Sequence, residues 1–314
     1  MSLKITLNRT LSTVALLLFT AGFAWAEKGP IAPERVDPPH WWVGMANDTL
    51  RLLVKSPALQ GKCAVVPQFK NADVRMLSST VLKNGGYLKI VLWLDPNAEP
   101  VNLPFSVATP SGTLNFTYAL KPRDASKRQL MGLDPSDQMY LITPDRFANG
   151  DPKNDRVDGQ LEMSLNRKEP YDRHGGDLVG IEKHLDYVQS LGVTAVWINP
   201  WLANNQVRAS YHGYAITDHY LVDPRFGTHA DLLRLSDALH ERGMKHVMDV
   251  VYNHSGDQHY LHRAQPDSTW FNPKKKYPRS NYRETTLFDP YASQRDKDFF
   301  ERGWFDDAMP DWNL

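Results

Sequence analysis

Cysteine is nearly missing from this sequence: Cys63 is the single one. An intrachain disulfide is thereby excluded, and stability has to come from packing or a bound ion. An excess of either charge is missing too, since Lys plus Arg and Asp plus Glu are both 36. No net field gathers nucleic acid or an anionic membrane surface, so the expected partner is roughly neutral. Beyond residue 26 no apolar run is long enough to span a bilayer. The glycine signature that cradles a dinucleotide phosphate is absent as well. With 41% apolar and 23% charged residues, disordered and collagen-like chains are ruled out, and 314 residues supply about two ordinary domains.

What the chain does have is aromatic residues: nine Trp, 13 Tyr and 12 Phe. They fill cores in most proteins, but they also suit a ligand with flat apolar faces, such as a sugar ring. Residues 1–26 read as a secretory signal, with Lys4 and Arg9 ahead of an apolar run from Thr13 to Ala24 and the small-x-small site Ala24-Trp25-Ala26. The run is too short to be a membrane span. The expectation is an exported product, periplasmic or secreted, with no membrane attachment once the signal is removed.

Residues 27–124 carry short period-two strands, such as Leu114, Phe116, Tyr118 and Leu120, separated by turns at Asn84-Gly85-Gly86 and Pro110-Ser111-Gly112. A β-sandwich is expected there. Lys121 to Ser136, with Pro122 and Pro135, reads as a linker. From about residue 125 the pattern changes to strands alternating with helices. Met139 to Thr143 is a strand, and Leu178, Ile181, Leu185, Val188 and Leu191 mark one helix face opened by Asp177 and closed by Gly192. Val193 to Asn199 is a second strand. A helix with Leu232, Leu235 and Leu239, capped by Thr228 and stopped at Gly243, leads to a third strand, Lys245 to Val251. Such a βα series fits a doubly wound sheet or a (β/α)8 barrel, and both put chemistry at the strands' carboxyl ends. The stretch up to Leu314 is shorter than the ~250 residues of a usual barrel, so the barrel reading implies missing strands. From about residue 255 the chain becomes aromatic, basic and proline-rich and reads as an inserted loop domain.

Asn149, Asp151, Asn154 and Asp155 place four oxygen-bearing side chains close in sequence, and Gly175-Gly176-Asp177 adds a carboxylate and free carbonyls. Hard cations take such oxygens, although an Asx-rich turn has the same composition. Tyr211-His-Gly-Tyr214-Ala-Ile-Thr-Asp218 follows the second strand, then Asp223-Pro-Arg225-Phe226-Gly227. Asp249-Val-Val-Tyr-Asn253-His254 ends the third. Taken alone, a loop tyrosine is usually a packing residue and a lone histidine usually structural. His254, His259 and His262 invite zinc, but no water-activating glutamate stands near them.

Together with Asp145-Arg-Phe-Ala-Asn-Gly-Asp, these motifs resemble the α-amylase superfamily (glycoside hydrolase family 13) in order and spacing. Trp41-Trp42-Val43-Gly44-Met45 and Met309-Pro-Asp311 are similar to its cyclomaltodextrinase/neopullulanase branch, although Trp312 stands where leucine is commoner. The resemblance implies an amino-terminal sandwich, then the first three β/α strands of an incomplete (β/α)8 barrel over residues 125–314, with an inserted B domain. It implies Ca2+ on Asn149, Asp151, Asn154, Asp155, the Gly175 carbonyl and Asp177. Tyr214 would stack beneath the central sugar, His254 would bond its hydroxyls, Asn253 would stand beside them, and Asp218 and Asp249 would shape the site. A phenol face suits axial pyranose hydrogens, and a neutral imidazole can donate or accept at a hydroxyl.

The implied activity is retaining hydrolysis of α-1,4, and as a further case α-1,6, bonds in an α-glucan or cyclodextrin. The resemblance also implies a homodimer of the full-length enzyme through the amino-terminal domain. Retaining cleavage needs two carboxyl groups ~5–5.5 Å apart. In the family these and a third aspartate follow later strands, beyond Leu314, so this chain is expected to be inactive alone. Among Asp218, Asp249, Asp289, Asp306, Asp307 and Asp311 none has both a strand-end setting and a partner. A non-catalytic glucan-binding protein and a transglycosylase are the alternatives.

Overall fold

The computed structural model describes residues 31–124, 132–284 and 286–313. The expected signal and part of the expected linker lie outside these residues.

The first unit is a sandwich of two four-stranded sheets. Its strands are β1 (Arg35–Asp37), β2 (Trp41–Trp42), β3 (Thr49–Lys55), β4 (Ala64–Pro67), β5 (Val74–Val81), β6 (Tyr87–Leu94), β7 (Val101–Thr109) and β8 (Gly112–Lys121). One sheet runs β1-β3-β6-β5 and the other β2-β8-β7-β4. Period-two alternation turns Leu52, Ile90, Leu92, Leu103, Phe105 and Tyr118 into a buried core between them. The turn from β7 to β8 needs Gly112, whose φ of +133° lies where a side chain is strained.

The second unit holds three parallel strands, β9 (Met139–Ile142), β10 (Ala195–Ile198) and β13 (Lys245–Met248), with β10 in the middle. A two-stranded ribbon, β11 (Leu202–Ala203) with β12 (Asp218–Val222), follows β10. A short helix, α1 (Pro144–Phe147), follows β9. Helices α2 (Leu178–Lys183), α3 (Leu185–Ser190) and α4 (His229–Glu241) cover one sheet face, burying Ile142, Val196 and Ile198 against Ile181, Leu185, Leu235 and Leu239. On the other face Leu141 and Trp197, which share a register row, stay 53% and 36% exposed. Helices α5 (Tyr260–Ala264) and α6 (Gln294–Arg302) lie in the aromatic segment beyond His254.

Two expectations need correcting. The helix from Asp177 to Gly192 is two helices, because His184 Nδ1 reaches the Gly180 carbonyl at 2.7 Å and takes the acceptor that its own N–H would use in an unbroken helix. Leu191 is not on the buried face. It caps the last turn and is 42% exposed. The Thr228 cap is present as a full capping box with Asp231, and Leu232, Leu235 and Leu239 are buried as the 3.6 period requires.

The two units meet at a polar joint. Arg35 of β1 binds the Asp218 carboxylate with both terminal nitrogens, at 2.5 and 2.9 Å, and Tyr260 donates to Asp37 at 2.8 Å.

Candidate functional site

The carboxyl ends of β10 and β13 open on a cavity of about 610 Å³ lined by His212, Tyr214, Asp249, Asn253, His254 and Phe305, among others. Tyr214 is brought there by a tight turn: Gly213 has φ +84°, and a Cβ on it would overlap the Pro200 carbonyl oxygen. The entrance to that turn is held by Glu162, whose carboxylate accepts from the Ala209 and Ser210 N–H groups at 3.1 and 2.7 Å. At its exit the Tyr214 N–H donates to His212 Nδ1 at 2.9 Å.

Asp249 accepts from Tyr214 Oη at 2.8 Å and from Trp197 Nε1 at 3.0 Å, so it fixes the phenol ring across the cavity floor. Burial, helped by that carboxylate, pushes the Tyr214 phenol up to about 12. The Tyr214 ring is a neutral platform at every physiological pH. His254 is buried, stacks on Phe305 with centroids 4.9 Å apart, and is held below the usual imidazole range by burial. Both its nitrogens already have protein partners: Nε2 meets the Tyr214 carbonyl at 3.1 Å and Nδ1 meets the Asn253 amide at 3.2 Å. A hydroxyl ligand would therefore compete with Asn253 for His254.

Tyr214, Asp249, Asn253 and His254 thus come together as a group. Asp218 does not join them, because its carboxylate is turned into the joint with Arg35. His212 and Phe305, which line the cavity, and Trp197, which reaches it only through Asp249, carried no assigned role in the sequence. His212 lies inside a motif that was read for its tyrosine. Phe305 is delivered from a distant loop, and no local pattern marks it. A second cavity of about 630 Å³ shares His212, Phe305 and Met309 with the first and continues past them to Glu162, Tyr171 and Arg208.

The oxygen-rich loops meet elsewhere, under α2. Asp177 caps that helix and also accepts from the Gly150 and Asp151 N–H groups, at 3.1 and 2.8 Å. Asn149 Nδ2 donates to Asp155 at 2.6 Å. The side-chain oxygens of Asn149 and Asn154 are buried with no partner, and Gly175, with φ +86°, lies so close that a Cβ would approach Asp155 Oδ1 to 2.7 Å. Burial raises the Asp155 carboxyl, and Asp177 adds to the effect. Orphaned oxygens beside a carboxyl held above its usual range are what a hard cation would relieve. Among the described residues no three His, Cys, Asp or Glu side chains gather as a metal group, so amide and carbonyl oxygens would have to supply much of any shell. His254, His259 and His262 do not converge either.

Of the other acids, Asp306 lines the second cavity and pairs with Arg279 at 3.1 Å, and Asp307 is exposed beside Lys274 at 2.9 Å. Asp311 is buried against Asn272, and burial pushes its carboxyl up to about 6. Among the residues lining the first cavity Asp249 is the one acid.

The model of the alpha amylase catalytic domain matches residues 141–312, more than half of the chain, in the stretch that builds this cavity. The chain belongs to the alpha-amylase family. The cyclomaltodextrinase amino-terminal model matches residues 35–124, the sandwich. Neopullulanase 2 of Thermoactinomyces vulgaris is 40% identical over 156 residues, 46% of this chain and 26% of that protein. The periplasmic alpha-amylase of Escherichia coli is 38% identical over 129 residues, 38% of this chain and 19% of that one. An intracellular maltogenic amylase of Bacillus subtilis is 33% identical over 178 residues, 55% of this chain and 27% of that one. This amylase-family chain therefore spans about a quarter, or less, of the length of the curated relatives it matches. It pairs an amino-terminal domain with a catalytic-domain portion, and its family members are α-glucan-cleaving glycoside hydrolases.

Proposed function

We propose that this chain supplies the glucan-holding half of a retaining α-glucan hydrolase of the cyclomaltodextrinase/neopullulanase kind, acting on α-1,4 and also α-1,6 bonds. The observation that carries the reading is one cavity in which Asp249 pins the Tyr214 ring beside His254. Tyr214 offers its face to a sugar ring, and His254 with Asn253 offers hydrogen bonds to hydroxyls. The exposed row of Leu141 and Trp197 suits the interior of a larger barrel, which further strands would complete, and the segment from about 255 would be its inserted domain. In such an enzyme the amino-terminal sandwich would also mediate a homodimer.

Cleavage needs a second carboxyl group ~5–5.5 Å from the first, and the cavity that holds Tyr214 and His254 offers Asp249 alone, already bonded to Tyr214 and Trp197; in its continuation Glu162 is taken by backbone N–H groups and Asp306 by Arg279. The chain by itself is therefore expected to release no reducing sugar from β-cyclodextrin, pullulan or soluble starch. Sustained release by purified chain, above a boiled control, would sink that part of the proposal.

Ca2+ fits the loops under α2, held by Asn149, Asp151, Asn154, Asp155, the Gly175 carbonyl and Asp177. Bound there, it would tie the loop after β9 to the start of α2 and fix the strand ends that carry the cavity. With Ca2+ a hundredfold above its Kd, the gain is ~2.7 kcal/mol. The thermal midpoint should then rise by ~5–10 °C over the EDTA-treated chain. An identical midpoint in Ca2+ and in EDTA would remove the ion from the account. The leader pattern and the periplasmic relative favour an exported product.

A further inference from the structure

We propose that His219 and His259 form a neutral imidazole relay that positions the strand-end segment bearing Asn253 and His254, and that a proton added to either ring releases it. His219 sits in β12 and His259 caps α5, and their facing nitrogens, His219 Nδ1 and His259 Nε2, are 3.1 Å apart. The hydrogen bonds assign the protons. His259 Nδ1 accepts from the Leu261 N–H at 3.2 Å, so that nitrogen is bare and the ring's one proton is on Nε2. His259 Nε2 then donates to His219 Nδ1, which leaves the proton of His219 on its own Nε2, with the Val251 backbone as partner.

Both bare ring nitrogens of the pair are occupied. A second proton on His259 would face the Leu261 N–H, and a second proton on His219 would face the His259 N–H. Protonation therefore breaks a hydrogen bond wherever it occurs.

The surrounding charges do not reverse this. Asp218, next to His219, has its carboxylate taken by Arg35. Arg35 lies over the Tyr260 ring at 4.0 Å and also binds Asp37, which accepts from Tyr260. His262 faces the pair from α5, and Tyr220 lies near Arg35. Asp37 and Asp218 against Arg35 leave one negative charge that favours a proton. Burial outweighs it: His259 is 1% exposed and is pushed down to about 3, and His219 is lowered for the same reason.

The relay reaches the cavity by two routes. Val251 lines it and touches His219. His259 meets the Trp312 ring edge-on at 5.5 Å, and the Trp312 backbone N–H holds the Asn253 carbonyl at 3.1 Å. Because folding lowers both imidazole pKa values, the closed relay has full strength above ~pH 6.5 and loses it as pH falls. By pH 5 the open form gains ~30-fold from His259, and His219 adds in the same direction.

The test is an imidazole NMR titration of the full chain labelled with 15N-histidine. Both rings should be neutral Nε2–H tautomers at pH 6, and below about pH 5 they should change together with the Asn253 and Trp312 amides. His219→Gln keeps a donor toward Val251 and an acceptor toward His259, and should turn the two-proton step into a one-proton step. An ordinary midpoint near 6.5 for either ring, an Nδ1–H tautomer, or unmoved Asn253 and Trp312 amides would overturn the relay. A second arm rests on the glucan reading: β-cyclodextrin affinity should fall ~tenfold between pH 7.5 and 5, and less in His219→Gln. An equal fall in both proteins would contradict the coupling to the cavity. No cyclodextrin binding at any pH would refute the glucan reading while the titration still decides the relay.

Discussion

Replacing Arg225 by methionine is expected to lower the thermal midpoint by about 10 °C. Arg225 is 1% exposed and Asp223 0%, and the pair is joined through Nε and one terminal nitrogen at 2.9 and 2.8 Å. Removing one partner of a buried ion pair costs ~3–5 kcal/mol, because the other charge is left in a low dielectric. At ~2–4 °C per kcal/mol for a unit of this size, the shift follows. Arg225 also donates to the Glu162 and Asn204 carbonyls, so the change would loosen the turn that presents Tyr214.

The pH dependence carries a sign that tests the cause. In the native chain burial alone would raise the Asp223 carboxyl, but Arg225 and Arg173 hold it below the usual range. Its contribution is present above ~pH 4 and is lost as the carboxyl protonates below that. Without Arg225 the same carboxyl is raised, so the deficit of the variant should be largest at neutral pH and shrink toward ~pH 4–5. Adding Asp223→Leu should recover part of the loss, since an apolar pair of similar volume tolerates burial. A midpoint within about 2 °C of wild type, or a double variant much worse than the single one, would show that the pair does not hold this region.

What could be read in advance depended on how local the signal was. Thr228, Leu232, Leu235 and Leu239 declare a capped amphipathic helix within a dozen residues, and they fold as one. The break at His184 follows from a side chain competing for a backbone carbonyl, which a hydrophobic period does not contain. Asp249 and His254 follow the third strand in the sequence pattern, whereas the place of Tyr214 beside them was implied only by the resemblance of its motif to the α-amylase family. The role of Asp218 was not legible, because its partner Arg35 is 183 positions away and belongs to the other unit. Phe305 was equally silent: it reaches the cavity through loops after His254 whose order comes from aromatic stacking, such as Tyr282 on Phe305 at 4.7 Å. The engagement of both His254 nitrogens by protein groups could be seen only with the Tyr214 carbonyl and the Asn253 amide in place.

The second large effect concerns the ligand. Tyr214 is the platform on which the whole functional reading stands, half-buried, fixed by Asp249 and lining a cavity of about 610 Å³. Truncating it to alanine removes the stacking surface and frees Asp249, and a central aromatic contact of this kind is worth ~2 kcal/mol or more, about 30-fold in affinity. Tyr214→Phe separates the two contributions. It keeps the ring and loses only the hydrogen bond to Asp249, so it should retain most of the affinity.

Whether Tyr214 carries glucan binding can be measured by isothermal calorimetry of the chain with maltoheptaose, at about pH 7.5 in Ca2+. Saturable binding at one site is expected, falling ~30-fold or more in Tyr214→Ala, with no reducing sugar appearing in the cell. Absence of binding by the folded wild-type chain, or binding that Tyr214→Ala leaves unchanged, would rule out Tyr214 as the glucan platform.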